Sequence, residues 1–503
     1  MTDPTTAGPA ARPAAPQAAP EAIDSAPERR PAGTADAAAD EGARARLAAA
    51  LETLHGQLDP DELILPGDAT AEPYDGDRRL RAAADARFAV ARPRTVPGVQ
   101  AVLRSAHAAG AVVVPRGAGS GLSGGAVPED GSIVLSTERL RAIREIDPLD
   151  EVAVVEAGVI TADLDASLAP HGFFYAPDPA SVAFSSIGGN IATNAGGLHC
   201  AKYGVTRESV LALEVVLADG TLLRTGHRSL KGVTGLDLTQ LIIGSEGTLA
   251  VVVAATVRIR PRPPARRTVL ARFPAVTAAA RAVNAISLSP VRPAATELIG
   301  PQALRDIDAA SGSRLAREED AILLIELDGY GIEEQTADLT AALAAEASDV
   351  QHPDPAEAEV LWELRRTGRG TVMAGQWRLG EDVAVPKSRL AEMFEQVDRV
   401  GREHGVAVST LAHAGDGNLH PALVLDTPPG ADGSVLPAAL HEAADDLVRS
   451  ALALGGTISG EHGIGLDKRA WLDLELGADT RSLQRRIKDA FDPRGILNPG
   501  KAL

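Results

Sequence analysis

Few residue types can hold a divalent metal and move a proton, and this chain gathers them in two short stretches. In "HAGDGNLH", residues 413–420, His413 and His420 flank an Asp-Gly pair. The flanking "GVAVSTLA" and "PALVLD" alternate like half-buried strands, so Asp416-Gly417 predicts a two-residue hairpin turn. In that register His413 faces His420, with Cβ atoms about 5 Å apart on one face of the sheet. Two imidazoles so placed either converge on one ion or form an ordinary hydrogen-bonded pair. The second stretch, "SGEHGIGLDKR", residues 459–469, follows a Gly455-Gly456 helix stop and carries Glu461 beside His462. Glu461 can complete a ligand set of two histidines and one carboxylate that keeps a position open for substrate. His462 is the candidate general base, because an unperturbed imidazole accepts a proton near neutral pH.

An anionic substrate also needs a cation. "LWELRRTGRG", residues 361–370, offers Arg365, Arg366 and Arg369 on a predicted helix, where the spacing puts Arg365 and Arg369 on one face. Arg378 in "GQWRLGEDVAVP" is a second candidate.

Three glycine-rich segments must position these groups. "VVVPRGAGSGLSGGAV", residues 112–127, fits G-x-G-x-x-G at Gly119, Gly121 and Gly124. Pro128 and Gly131 follow and lead straight into another strand, which leaves no room for a Rossmann crossover helix. The segment reads instead as strand, loop, strand. The backbone N–H groups of Gly117, Ala118, Gly119, Ser120, Gly121, Ser123 and Gly124 form a nest for a diphosphate, and Arg116 adds charge. In residues 177–204, Gly188, Gly189, Asn190, Asn194, Gly196 and Gly197 imply backbone closely approached by a bulky cofactor. In "IIGSEGTLAVVV", Gly244, Glu246 and Gly247 precede a buried strand, where a flat ring can lie against main chain.

Composition narrows the classes. Lys and Arg number 49 against 68 Asp and Glu, and the net charge of -19 argues against nucleic acid or an anionic membrane as a partner. One cysteine, Cys200, excludes both a disulfide framework and an iron–sulfur cluster held by this chain's own cysteines. No transmembrane span or secretory signal is evident, so a cytoplasmic location is expected, or a peripheral one through an electron-acceptor partner. Residues 1–42, rich in Ala and Pro, predict a disordered tail. "RPRPPAR", residues 260–266, predicts a domain boundary, after which strands and helices alternate as in a layered α+β domain.

With "DPRGILNPGK" (492–501), these motifs in this order resemble the FAD-linked 2-hydroxy acid dehydrogenases over residues 60–503. Within them the chain is similar to the glycolate oxidase large subunit and D-lactate dehydrogenase (cytochrome) branch of the vanillyl-alcohol oxidase superfamily. The resemblance implies an α+β, two-domain flavoprotein: an FAD-binding domain at 43–262, a ferredoxin-like antiparallel-sheet substrate domain at 263–475, and a C-terminal segment, 476–503, that returns to the FAD domain. It implies that residues 116–125 and 177–204, including Pro177, Asp178 and Ser181, wrap the FAD diphosphate and adenosine. Gly244 to Thr248 and Asn498 would approach the flavin. FAD should be noncovalent, since the phosphate loop carries Ser120 and Ser123 and no histidine. His413, His420 and Glu461 match the family's metal positions, with zinc the first choice and manganese or iron the alternatives. Arg365 matches its carboxylate-binding position.

The implied reaction is oxidation of a D-2-hydroxy acid, His462 taking the hydroxyl proton while hydride passes to flavin N5. Electrons would leave to a separate iron–sulfur subunit, electron-transfer flavoprotein, quinone, cytochrome or oxygen. Gly380 and Ala422 stand where relatives acting on 2-hydroxyglutarate carry Lys and Asn, which favours D-lactate, glycolate or another monocarboxylate. The alternatives are an alkylglycerone-phosphate synthase-like transferase, whose relatives carry a run of histidines at Glu461-His462, and an assembly subunit of a multi-chain glycolate oxidase.

Overall fold

The structure, a computed structural model, describes residues 37–229, 231–318, 320–368, 375–428 and 436–503; Arg369 and residues 1–36 of the expected tail lie outside them. The end of that tail is not disordered. Residues from Ala37 onward belong to the helix Ala37–Leu54, whose Ala, Leu, Glu and Arg content favours helix.

The apolar runs read as strands build two small sheets in the first half. One places Val112–Arg116 beside Ser132–Ser136 in parallel, joined through the glycine loop without a crossover helix. The other is five-stranded, in the order Ile143–Asp147, Val152–Glu156, Val251–Arg258, Val210–Val216 and Leu222–Gly226. The chain's end returns here: the Asn498 N–H donates to the Val113 carbonyl at 2.8 Å.

The second half is built on one eight-stranded sheet whose pairings are all antiparallel. From the short edge strand Asp349–Gln351 onward its strands run in the order Arg266–Phe273, Ala321–Asp328, Ala295–Ile299, Ala407–His413, Asn418–Asp426 and Gln376–Gly380. Side chains alternate between faces along each strand. One face carries Val269, Phe273, Leu323, Ile325, Leu298 and Leu423, packed in one core with the helices Val276–Leu288, Ile332–Leu343, Leu390–His404 and Ala438–Ala453. The register puts Glu297, His413, His420 and Arg378 together on the opposite face.

The hairpin itself differs from expectation. His413 pairs with Asn418 and Leu411 with His420, so the loop is Ala414–Gly417 and the register is displaced by two residues. Gly415 cannot pair with Asn418, because its N–H donates to the Thr296 carbonyl at 3.1 Å on the neighbouring strand. A displacement of two keeps every side chain on its face. The histidines are therefore diagonal rather than opposed, with ring centroids 5.2 Å apart.

A helical turn, Cys200–Tyr203, joins the halves, and His199 before it spans them. His199 Nδ1 lies 2.6 Å from Asp178 Oδ2 and Nε2 lies 3.1 Å from Glu326 Oε1. Burial alone would lower its pKa, but the two carboxylates outweigh burial and push it up to about 10. A folded pKa above the unfolded value means that the stabilisation is complete below about pH 6.5 and is lost as pH rises through about 10. The thermal midpoint of wild type should therefore exceed that of His199→Gln most at pH 6, with the gap closing toward pH 10. A gap that is constant with pH would refute this ion bridge.

Candidate active site

Three layers of side chains build the cluster. The helix Pro355–Thr367, started by an Asp354–Glu357 capping box, delivers Arg365. Arg365 is fully buried and ion-pairs with Oε2 of Glu297, which is fully buried as well. The other oxygen of Glu297 lies 2.7 Å from His413 Nδ1. With Nδ1–H donating to that carboxylate, the neutral ring presents Nε2 as its lone pair, the arrangement that carboxylates impose on metal-binding histidines. His413 Nε2 faces Glu461 Oε1 at 3.5 Å, and His420 Nε2 lies 3.2 Å from the same oxygen. One ligand atom from each of His413, His420 and Glu461 falls within 4.8 Å of the others, so the residues fit a divalent ion.

Asp382, His420 and His462 form a second group of similar spacing. Asp382 is fully buried, and its carboxylate is already engaged. Oδ2 accepts from the N–H groups of Glu461 and His462 at 3.0 and 2.9 Å and from Ser459 Oγ at 2.8 Å; Oδ1 accepts from Asn418 Nδ2 at 2.7 Å. These four bonds make it a bracket for the loop. Burial works to raise its pKa, but His462, Lys468 and His420 hold the carboxyl well below the usual range. Lys468, itself buried, donates to the Ile458 carbonyl at 2.6 Å and to that of Asp382.

The loop is fixed from the other side by the glycine segments. Ser123 Oγ donates to the His462 carbonyl at 2.7 Å. Glu246, at φ +51°, accepts from the N–H groups of Ile464 and Gly465 at 2.7 and 2.9 Å. The His462 ring stacks on His420 with centroids 5.1 Å apart.

A cavity of about 1250 Å³ runs from the glycine loop to His420, Glu461 and His462. Its wall includes Arg116–Gly121, Ser123, Ser181, Gly188–Asn190, Gly196, Glu246, Gly247 and Arg378. No side chain from Gly117 to Gly121 is larger than serine, so main chain can approach a diphosphate directly.

Other expected residues serve differently. Gly124, Pro177, Asp178, Asn194, Gly197, Gly244 and Asn498 are not part of the wall. Asn498 donates to the Gly125 and Glu246 carbonyls at 2.9 and 2.8 Å, tying two glycine segments together. Asn194 caps a helix at φ +52°. Arg116 donates to the carbonyls of Pro73 and Gly76 and lies over the Tyr74 ring, so it braces the loop from beside it. Arg365 does not line the cavity either; the pull of Glu297 holds it one layer behind, and Arg378 is the substrate-cation candidate in the wall. Sequence reasoning missed Glu297, Asp382 and Lys468. Their signal is a charge inside an apolar run, as in "ATELIG" around Glu297.

Residues 88–226 match the FAD binding domain family, and residues 262–502 match the C-terminal domain of FAD linked oxidases. The glycolate oxidase subunit GlcD of Bacillus subtilis is 37% identical over 433 residues, 85% of this chain and 91% of that protein. The chain belongs to the FAD-linked oxidase family. A D-lactate dehydrogenase of Archaeoglobus fulgidus is 37% identical over 421 residues, 83% of this chain and 91% of that protein. Substrate-bound p-cresol methylhydroxylase superposes with a TM-score of 0.73 at 17% identity, over 91% of this chain and 96% of that one. An alkyldihydroxyacetonephosphate synthase gives 0.69 at 18%, over 90% and 85%. At such identities these structures show a shared fold alone. The FAD-linked oxidase is thus a flavoprotein oxidoreductase of two α+β domains, and among its described residues no helix is long and apolar enough to cross a membrane.

Asp382→Asn in this oxidase replaces a buried anion that gathers N–H donors. The variant should lose about 3 kcal/mol of stability, typical of a broken buried charge network. Denaturant unfolding followed by tryptophan fluorescence measures it, and a midpoint equal to that of wild type would show that the bracket does not hold the loop.

Proposed function

We propose that this flavoprotein oxidises a D-2-hydroxy monocarboxylate, such as D-lactate or glycolate, to the 2-oxo acid. One observation carries the reading: the donor atoms of His413, His420 and Glu461 converge beside His462, and His420, Glu461 and His462 line a cavity that also reaches the glycine loop. The relatives named as a glycolate oxidase subunit and a D-lactate dehydrogenase support the substrate class.

A divalent ion held by His413, His420 and Glu461, zinc or else manganese or iron, would make a substrate hydroxyl more acidic. Bound FAD supplies the two-electron acceptor for the Cα hydride. His462 accepts the hydroxyl proton, its backbone held by Asp382 and Ser123 and its ring by His420. Arg378 offers a charge for the substrate carboxylate from the cavity wall, and Arg365 adds positive charge behind Glu297. With one cysteine in the chain, a separate protein or small molecule must take the electrons onward. Glu461 beside a single His462 disfavours the transferase alternative.

Anaerobic addition of D-lactate, L-lactate, glycolate, D-2-hydroxyglutarate and longer D-2-hydroxy acids should bleach the oxidised flavin with one D-monocarboxylate fastest. Bleaching by none of them would overturn the reading. His462→Ala should bind FAD normally yet slow bleaching by about 100- to 10,000-fold, the usual contribution of a general base.

His420→Ala should lose bound metal, measured by elemental analysis, together with activity. Full activity in metal-free protein would remove the ion from the mechanism.

A further inference from the structure

The segment 196–203 takes no part in the chemistry above, yet it meets the substrate-domain sheet, the histidine turn, Glu461 and the cavity wall. Tyr203 Oη donates to Asp328 Oδ2 at 2.6 Å, while Lys202 Nζ ion-pairs with Oδ1 and donates to the Asp328 carbonyl at 3.2 Å. The Asp328 side chain is only 1% exposed. His199 reaches Glu326 on the same strand, so one helical turn grips alternate residues of Ala321–Asp328. Glu326 pairs with Ala295, two residues before Glu297, and it therefore shares the sheet face that carries the histidines.

The segment meets the ligands in two further places. A Cβ added to Gly415, in the turn between His413 and His420, would stand 2.8 Å from Ala201 Cβ, so that turn rests on the segment. A Cβ on Gly196 would stand 2.9 Å from Glu461 Oε2. Toward the cofactor side, Gly196 and Ala195 line the cavity, and Thr206 Oγ1 donates to the Ala195 carbonyl at 2.8 Å. Arg207, whose N–H donates to Asn194 Oδ1 at 2.9 Å, clamps the Gln240 and Ile243 carbonyls at 2.8 and 3.2 Å.

We propose that Lys202, Tyr203 and Asp328 are positioning residues for the reaction: their clasp fixes the histidine–carboxylate cluster of the substrate sheet at its working distance from the cofactor-binding glycine segments. This rests on the hydroxy acid reading for its kinetic consequence but not for its structural one. Plain domain adhesion is the competing account, and the chemistry of the clasp speaks against it. Lys202 is a quarter exposed and Asp328 is buried, and such an ion pair adds little net stability over apolar residues of similar volume; the clasp's directional contacts with both Asp328 oxygens select one geometry instead. Transfer between two bound reactants is sensitive to that geometry, since a misplacement of about 1 Å can cost about 100-fold in rate.

The test compares FAD-loaded wild type with Asp328→Asn and with Tyr203→Phe, which keeps the ring packed against Phe174 at 5.4 Å and so protects against a folding failure. Both variants should retain flavin absorbance. Each should lower the limiting rate of anaerobic flavin reduction by D-lactate by about 10- to 100-fold while the half-saturating concentration changes little. α-Deuterated D-lactate should slow the variants at least as much as wild type, placing the defect in the transfer step. Independently of substrate, amide hydrogen exchange should quicken at the Ala414–Gly417 turn in both variants. Unchanged limiting rates, or a loss of rate that only follows loss of FAD, would overturn the proposal. If wild type itself is not bleached by any hydroxy acid, the functional reading fails and the exchange result decides alone: unaltered protection of the turn then overturns the clasp.

Discussion

The site depends on one buried anion. Asp382 gathers the backbone of Glu461 and His462, the hydroxyl of Ser459 and the amide of Asn418 on a single carboxylate. Asn418 is the residue paired with His413 in the hairpin, so the same charge fixes the hairpin that bears the histidines and the loop that bears the carboxylate and base. Such an anion is tolerated in a protein interior only when its oxygens are satisfied and positive groups stand near. Lys468, also buried, lies on the far side of the same loop and supplies one of them. Remove the anion, and two segments some forty residues apart in sequence lose their common reference.

A second line of charge orders the first histidine. Arg365 pairs with Glu297 and Glu297 with His413, which sets the tautomer whose lone pair faces Glu461. Glu297, Glu381, Asp382 and Glu461 bring four carboxylates to one region, against Arg365 and Lys468 as fixed cations. An additional cation is electrostatically welcome there, which is the physical support for the proposed metal.

Much of this was legible because it rests on local pattern. The alternating runs around "HAGDGNLH" specified a hairpin and put both histidines on one face, and the Pro128–Gly131 break excluded a Rossmann helix. The exact register was not legible. It is decided by Thr296 taking the Gly415 N–H, a bond from a strand more than a hundred residues away. Glu297 and Asp382 escaped notice for the same reason: each lies in a short segment whose meaning appears only when the sheet is assembled. Arg365 was singled out as a substrate-carboxylate cation on a predicted helix, but whether it faces the cavity or a buried partner depends on Glu297, which sequence spacing could not pair with it.

The glycine motifs hold a further lesson about coupling. Glu246 and Ser123 come from segments expected to serve the cofactor, yet their side chains bond to the loop that carries His462. Asn498, from the chain's last turn, ties Gly125 to Glu246 and so joins these segments to one another. The main chain of the glycine segments and the proposed base are therefore successive links of one hydrogen-bonded network, closed on its far side by Asp382. Ordering of the glycine loop and ordering of His462 cannot be independent in such an arrangement, because each lost bond on one side leaves a buried polar group unsatisfied on the other. Two domains thereby acquire a single site through one continuous set of hydrogen bonds.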